Sequence, residues 1–142
     1  MADMFALWRW QKLWEDRMLF VKAFGVTVEL AVGGLILALI LGFLIGILAT
    51  TSSRFVRGLT RIYVELFRNI PLTLQVMFFY YGCVYGGIKI STLTVGIVGL
   101  GICSGAFIAE IVRGGLNAVP RGQYDAAFSQ GLNYFQTMTR II

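Results

Sequence analysis

A chain with no histidine lacks both the usual general base near neutral pH and the commonest metal ligand. Its two cysteines, Cys83 and Cys103, lie inside apolar runs, where a thiol behaves as a small hydrophobe. No nucleophile–base pair or metal cluster can be assembled from the remaining residues. The phosphate-cradling pattern Gly-x-x-x-x-Gly-Lys-[Ser/Thr] does not occur either. The chemistry left is recognition, with no catalytic residue, no metal and no bound cofactor expected. Three groups of residues could carry it. Gln75 and Glu110 are polar groups at the edges of apolar stretches, where an amide or carboxylate needs partners or water. Gln123, Tyr124, Asp125, Ala126, Ala127 and Gly131 form a polar, small-residue segment directly after the last apolar run. Gly34, Ala38, Gly42 and Gly46 recur every four residues, which puts them on one face of a helix.

The elements that position these residues belong in a membrane. Hydrophobic residues are 58% of the chain and charged ones 13%, against about 45–50% and about 25% in soluble domains. The stretches 30–49, 69–88 and 90–109 are uncharged and 20 residues each, matching the roughly 20 residues of a spanning helix. They predict an all-α integral membrane protein, a polytopic helical bundle with three transmembrane helices near 26–49, 69–88 and 90–112. Residues 1–24 read as an interfacial segment. Trp8, Trp10 and Trp14 among charges suit the headgroup layer and interrupt the apolar core that a signal peptide needs.

Charge sets the expected orientation. Arg54, Arg57, Arg61 and Arg68 crowd the loop between the first two runs, whereas the next loop has only Lys89. The positive-inside rule then makes the first loop cytoplasmic, the Lys89 turn and the N-terminus external, and everything after Glu110 internal. Arg9, Lys12, Arg17 and Lys22 pull the other way. The net charge of +5 serves topology and requires no nucleic acid.

The glycine register predicts a groove on the first span where another helix's backbone can approach, replacing the hydrophobic drive that lipid removes. Gly101, Gly105 and Ala109 repeat the device on the third. Pro71 suits a first helical turn, so Gln75 lies one turn inside and faces the bundle, either as a pathway residue or as an interhelical hydrogen-bond partner. Glu110 is a path residue or an interface anchor. Read as one helix, the terminal segment aligns Tyr124, Phe128, Gly131 and Phe135 in a stripe. It also places Asp125 in the first turn, where the helix N-terminus favours a carboxylate.

Four stretches together resemble the permease subunit of polar amino acid ABC importers, the histidine/glutamine/arginine type. They are Gly25-Val26-Thr27; Tyr63-Val64-Glu65-Leu66-Phe67-Arg68-Asn69-Ile70-Pro71-Leu72 followed by Gln75; Ala106-Phe107-Ile108-Ala109-Glu110-Ile111-Val112-Arg113-Gly114-Gly115; and Val119-Pro120-Arg121-Gly122-Gln123 leading to Asp125-Ala126-Ala127 and Gly131. The resemblance implies a multi-pass subunit of the bacterial plasma (inner) membrane with five spans in the full domain. It implies a cytoplasmic coupling helix within a loop 113–142, seated through Gln123, Tyr124, Asp125, Ala126, Ala127 and Gly131 on a separate ABC ATPase that holds the ATP. The other implied partners are a second permease subunit (identical or paralogous), an external amino-acid-binding protein and membrane lipid. Asp125 replaces the family's glutamate. The chain also stops at Ile142, where the family continues with Leu-Pro and two more spans, so 25–142 reads as an incomplete domain. Two other readings stay open: a small self-associating membrane pore, and a membrane subunit that transports nothing.

Overall fold

The computed structural model describes residues 7–141. Among these residues seven helices follow one another: α1 Leu7–Glu15, α2 Arg17–Leu48, α3 Arg54–Asn69, α4 Leu72–Tyr85, α5 Thr92–Ala118, α6 Arg121–Ser129 and α7 Tyr134–Arg140. Among the described residues there is no strand.

Two of these helices, α2 and α5, are long and apolar enough to cross a membrane. Their 32 and 27 residues correspond to about 48 and 40 Å at 1.5 Å per residue. The expected span at 69–88 is corrected: Asn69 ends α3 and the next helix is only Leu72–Tyr85, 14 residues, about 21 Å and by itself short of a hydrocarbon core of about 30 Å. Both ends are cut by backbone chemistry. Pro71 drives the residue before it out of the α region, and Ile70 is extended at φ −95°, ψ 128°. At the other end Gly87 has φ +71° and its N–H bonds to the Val84 carbonyl, while Ile88 bonds to Cys83, a Schellman closure. The α5 helix runs 92–118, beyond the expected end at 112.

The expected boundary after residue 24 falls inside α2, which begins at Arg17; residues 1–6 of the interfacial segment, like Ile142 of the loop 113–142, lie outside the described residues. The short α1 ends where Asp16 separates it from α2. There Arg17 sits over the Trp14 ring at 5.3 Å and donates to the Trp14 carbonyl at 2.9 Å.

The principal contact is α2 against α5. The buried residues of α2 are Gly34, Ala38, Gly42 and Gly46, and those of α5 include Gly101, Gly105, Ala106 and Ala109. Leu35, Ile36, Ile40, Phe43 and Leu44 are exposed on the outer face of α2. A water-soluble core helix buries its large side chains; here small residues are inside and large ones outside, the order that lipid imposes. Interdigitation is tight. A Cβ at Gly42 would lie 2.5 Å from Ile108 Cβ and 3.1 Å from the Gly105 carbonyl oxygen, and one at Gly46 would lie 2.9 Å from the Ala109 carbonyl oxygen.

The third helix presents three faces, because its residue types repeat with the helical period. Thr60 and Val64 are buried, with Tyr63 and Phe67 beside them toward α5. Phe55, Leu59, Ile62 and Leu66 are exposed on a second face. Arg54, Arg57, Arg61, Glu65 and Arg68 make the third.

Candidate functional site

The charged face of α3 and the second half of α5 flank an open cavity of about 580 Å³. Arg57, Arg61, Glu65 and Arg68 line one side, Glu110 and Arg113 the other, with Ala49 at the end of α2. Arg113 donates through Nε to Glu110 Oε2 at 3.0 Å and through a second nitrogen to Oε1. Arg61 pairs with Glu65 at 2.6 Å, exposed and four residues apart, where water and salt screen the attraction. Among the described residues two lining arginines have no carboxylate contact. Arg57 reaches the Thr51 carbonyl at 3.3 Å, and Arg68 lies 5.3 Å over the Phe107 ring. The cavity is thus half-open and net-positive, with four arginines against two glutamates on walls that also carry Ala49, Val64 and Ala109, and it can admit water and small anionic groups.

The shortest bond that ties the α3 wall to α5 comes from Tyr63. Tyr63 donates to the Ile102 carbonyl at 2.7 Å, and Gly105, next to it, leaves room for the phenol, which a Cβ there would meet at 3.2 Å. Burial pushes the Tyr63 phenol up, with a smaller push from Cys103. The hydroxyl therefore remains a donor throughout the physiological range.

Glu110 lines this cavity; Gln75 does not. Gln75 is 4% exposed and turned toward the break between α3 and α4. The structure therefore does not bring the two expected path residues into one chamber.

The terminal segment departs from a single helix. The α6 helix stops at Ser129 and α7 starts at Tyr134, so the expected stripe of Tyr124, Phe128, Gly131 and Phe135 is broken between its second and third members. Gly131 has φ +79°; its N–H bonds to the Phe128 carbonyl at 2.9 Å, and Leu132 N–H bonds to Ala127 at 3.2 Å. This is a Schellman motif, which needs a residue that enters the left-handed region freely. A glycine at this point of a helical stretch implies either a bend or a tight contact, and the structure shows the bend: among the described residues nothing lies within 4 Å of a Cβ placed there. The next helix is then started by a reciprocal capping box, Asn133 Oδ1 accepting from Gln136 N at 2.8 Å and Gln136 Oε1 from Asn133 N at 2.9 Å. The α6 helix begins at Arg121, with no acidic residue in its first turn. The expected dipole stabilisation of Asp125 is withdrawn, because that effect fades beyond the first turn.

Ala127 and Thr137 are the buried contacts of this α6–α7 hairpin. Gln123, Asp125 and Ala126 are exposed, Tyr124 half-buried. Phe128, Tyr134 and Phe135 are also exposed. Among the described residues the hairpin packs on no other helix.

Arg57, Arg61, Glu65, Arg68 and Arg113 entered the sequence reading only as topology signals or motif members. Their spacing at 57, 61, 65 and 68 already marks one helix face, a pattern that could have disclosed the cavity wall.

Residues 38–142 match the family described as binding-protein-dependent transport system inner membrane component. A probable glutamine ABC transporter permease of Bacillus subtilis is 35% identical over 130 residues, covering 92% of this chain and 60% of that protein. A probable amino-acid ABC transporter permease of the same organism is 31% identical over 122 residues, 86% of this chain and 54% of its own. The glutamine transport system permease of Escherichia coli is 29% identical over 135 residues, 94% and 62% respectively. The chain thus spans somewhat over half the length of these relatives. A solved structure, described as an amino acid ABC transporter with histidines, superposes with a TM-score of 0.69 at 29% identity, over 86% of this chain and 60% of that one.

Proposed function

Because the chain belongs to the family of binding-protein-dependent transport system inner membrane components, we propose that it is a permease subunit of an ABC importer for polar amino acids. The observation that carries this reading is the likeness to an amino acid transporter over 86% of the chain at a TM-score of 0.69. In this account α2 and α5, which pack in parallel, cross the bacterial plasma membrane in the same direction with the N-terminus outside; the chain between them returns across it through the end of α3 and α4, so that Lys89 is outside and Arg54 and the α6–α7 hairpin lie on the cytoplasmic side. The chamber beside Glu110 is part of the translocation path. Its charged walls give an amino acid's carboxylate and ammonium groups partners that lipid lacks.

The hairpin passes force from a separate ATPase. Its exposed Gln123, Asp125, Phe128 and Tyr134 suit a protein partner better than water, since apolar and polar groups alternate there. The capped turn at Gly131–Asn133 stiffens the unit that such a partner would push. Closure of the ATPase would then tilt the spanning helices and switch access to the chamber. A second permease subunit and an external amino-acid-binding protein complete the assembly.

The test is co-purification of the chain with an ATPase of this transporter class, followed by ATP turnover in proteoliposomes. Stimulation by a polar amino acid with its binding protein supports the reading. Ion conduction without nucleotide, or ATPase association without uptake, would replace it with a pore or a non-transporting subunit.

A further inference from the structure

The break between α3 and α4 leaves a specific defect. In a continuous helix the Phe67 carbonyl would accept from the N–H four residues on, but that residue is Pro71, which has none. The Gln75 side chain fills the vacancy. Its Nε2 donates to the Phe67 carbonyl at 2.9 Å and to the Ile70 carbonyl at 2.7 Å, so one amide joins the end of α3 to the linker. Cys103 of α5 lies behind it, Sγ 3.6 Å from Nε2 and 3.7 Å from the Phe67 oxygen. The amide's own oxygen is buried, with no partner among the described residues. Turning the amide over to satisfy it would set Oε1 against two carbonyl oxygens, so the donor role fixes its orientation. Asn69 adds a second side-chain bond to the same helix end, donating to the Glu65 carbonyl at 2.7 Å.

We propose that Gln75 is a positioning residue for transport: its amide replaces the missing Pro71 N–H and holds the end of α3 at one angle to α4. The residue after Phe67 is Arg68, which lines the cavity and stacks on Phe107. Gln75 therefore acts on the chamber through the backbone at Phe67, without lining it. This rests on the permease reading for its transport consequence, but not for its effect on the break.

The test uses Gln75→Met and Gln75→Glu in the chain assembled with its ATPase. Methionine keeps the volume and loses both donors; glutamate has a hydrogen to donate only when protonated. Hydrogen exchange of the segment 66–76 in detergent reads the break without any transport. It should accelerate about tenfold in Gln75→Met, the factor that roughly one lost hydrogen bond produces, while exchange at 34–46 in α2 stays unchanged. Uptake should fall mainly in its maximal rate, and Gln75→Glu should recover toward wild type as pH falls, relative to wild type at each pH. Cys103 and Arg68 are the nearby ionisable side chains, and both are present in every variant. Wild-type exchange at 66–76 in Gln75→Met would overturn the proposal, and so would a Gln75→Glu defect that acid does not relieve. Absence of uptake by the wild type, with the exchange difference intact, would overturn only the transport reading.

Discussion

At the α2–α5 interface a glycine is needed because it has no side chain; in the α6–α7 hairpin a glycine is needed for a backbone angle that side chains disfavour. Gly42 is helical and crowded, with Ile108 and the Gly105 carbonyl where its Cβ would be. Gly131 has open space around it but φ +79°. The sequence shows the same letter in both places. The difference predicts opposite substitution profiles: size decides at Gly42, and tolerance of the left-handed region decides at Gly131.

The largest effect should come from Gly42→Leu. Overpacking of a tight core costs about 1–3 kcal/mol and occasionally more, and here even the first carbon meets backbone. Thermal unfolding in detergent should show the loss, with Gly42→Ala intermediate and Ile40→Leu, on the exposed face, near wild type. Equal stability of Gly42→Leu and Ile40→Leu would remove the groove from the account.

Gly131→Val should cost about 1–2 kcal/mol, the left-handed penalty for an L-residue, confined to the hairpin. Gly131→Asn should cost less than half of that, since asparagine enters this region more readily. Hydrogen exchange of 126–140 measures both, and the unfolding of the α2–α5 pair should not move. If valine and asparagine behaved alike, conformation would not be the reason for the glycine.

Asp125→Lys sharpens the same contrast by separating folding from partnership. The carboxylate is exposed and outside the first turn, so stability should stay within about 0.5 kcal/mol. On the permease reading, association with the ATPase should nevertheless weaken. Unchanged association in a titration of ATPase against the variant would leave the hairpin a passive surface element.

The smallest perturbation is a label. Single cysteines at 57 and 89, in a background without Cys83 and Cys103, report the sides of the membrane. Membrane-impermeant reagent outside cells should modify position 89 and leave position 57 untouched. The reverse pattern would place the arginine face of α3, and the hairpin proposed to share its side, outside.

Much of this was legible because the relevant signals are local. A four-residue glycine register needs only helical geometry to become a face, and an uncharged 20-residue run needs only the thickness of a bilayer to become a span. The second run misled because apolar composition does not reveal chain direction. Its ends carry Pro71 and Gly87, and these shorten it to 14 residues. The terminal segment misled in the same way. A period drawn through Phe128, Gly131 and Phe135 presumes one helix, whereas Gly131 and Asn133 are a stop and a start.

What the sequence by itself determined is therefore membrane class, the packing face of the first span, and a family pattern running from Tyr63 to Gly131. Each follows from residue type at fixed spacing along one element. Only the tertiary structure decided that Gln75 serves the Phe67 carbonyl and that Glu110 shares a chamber with Arg68. These pairings join residues 8 and 42 positions apart in the chain. Such distances are set by how α3 breaks from α4 and leans on α5, which no local period encodes.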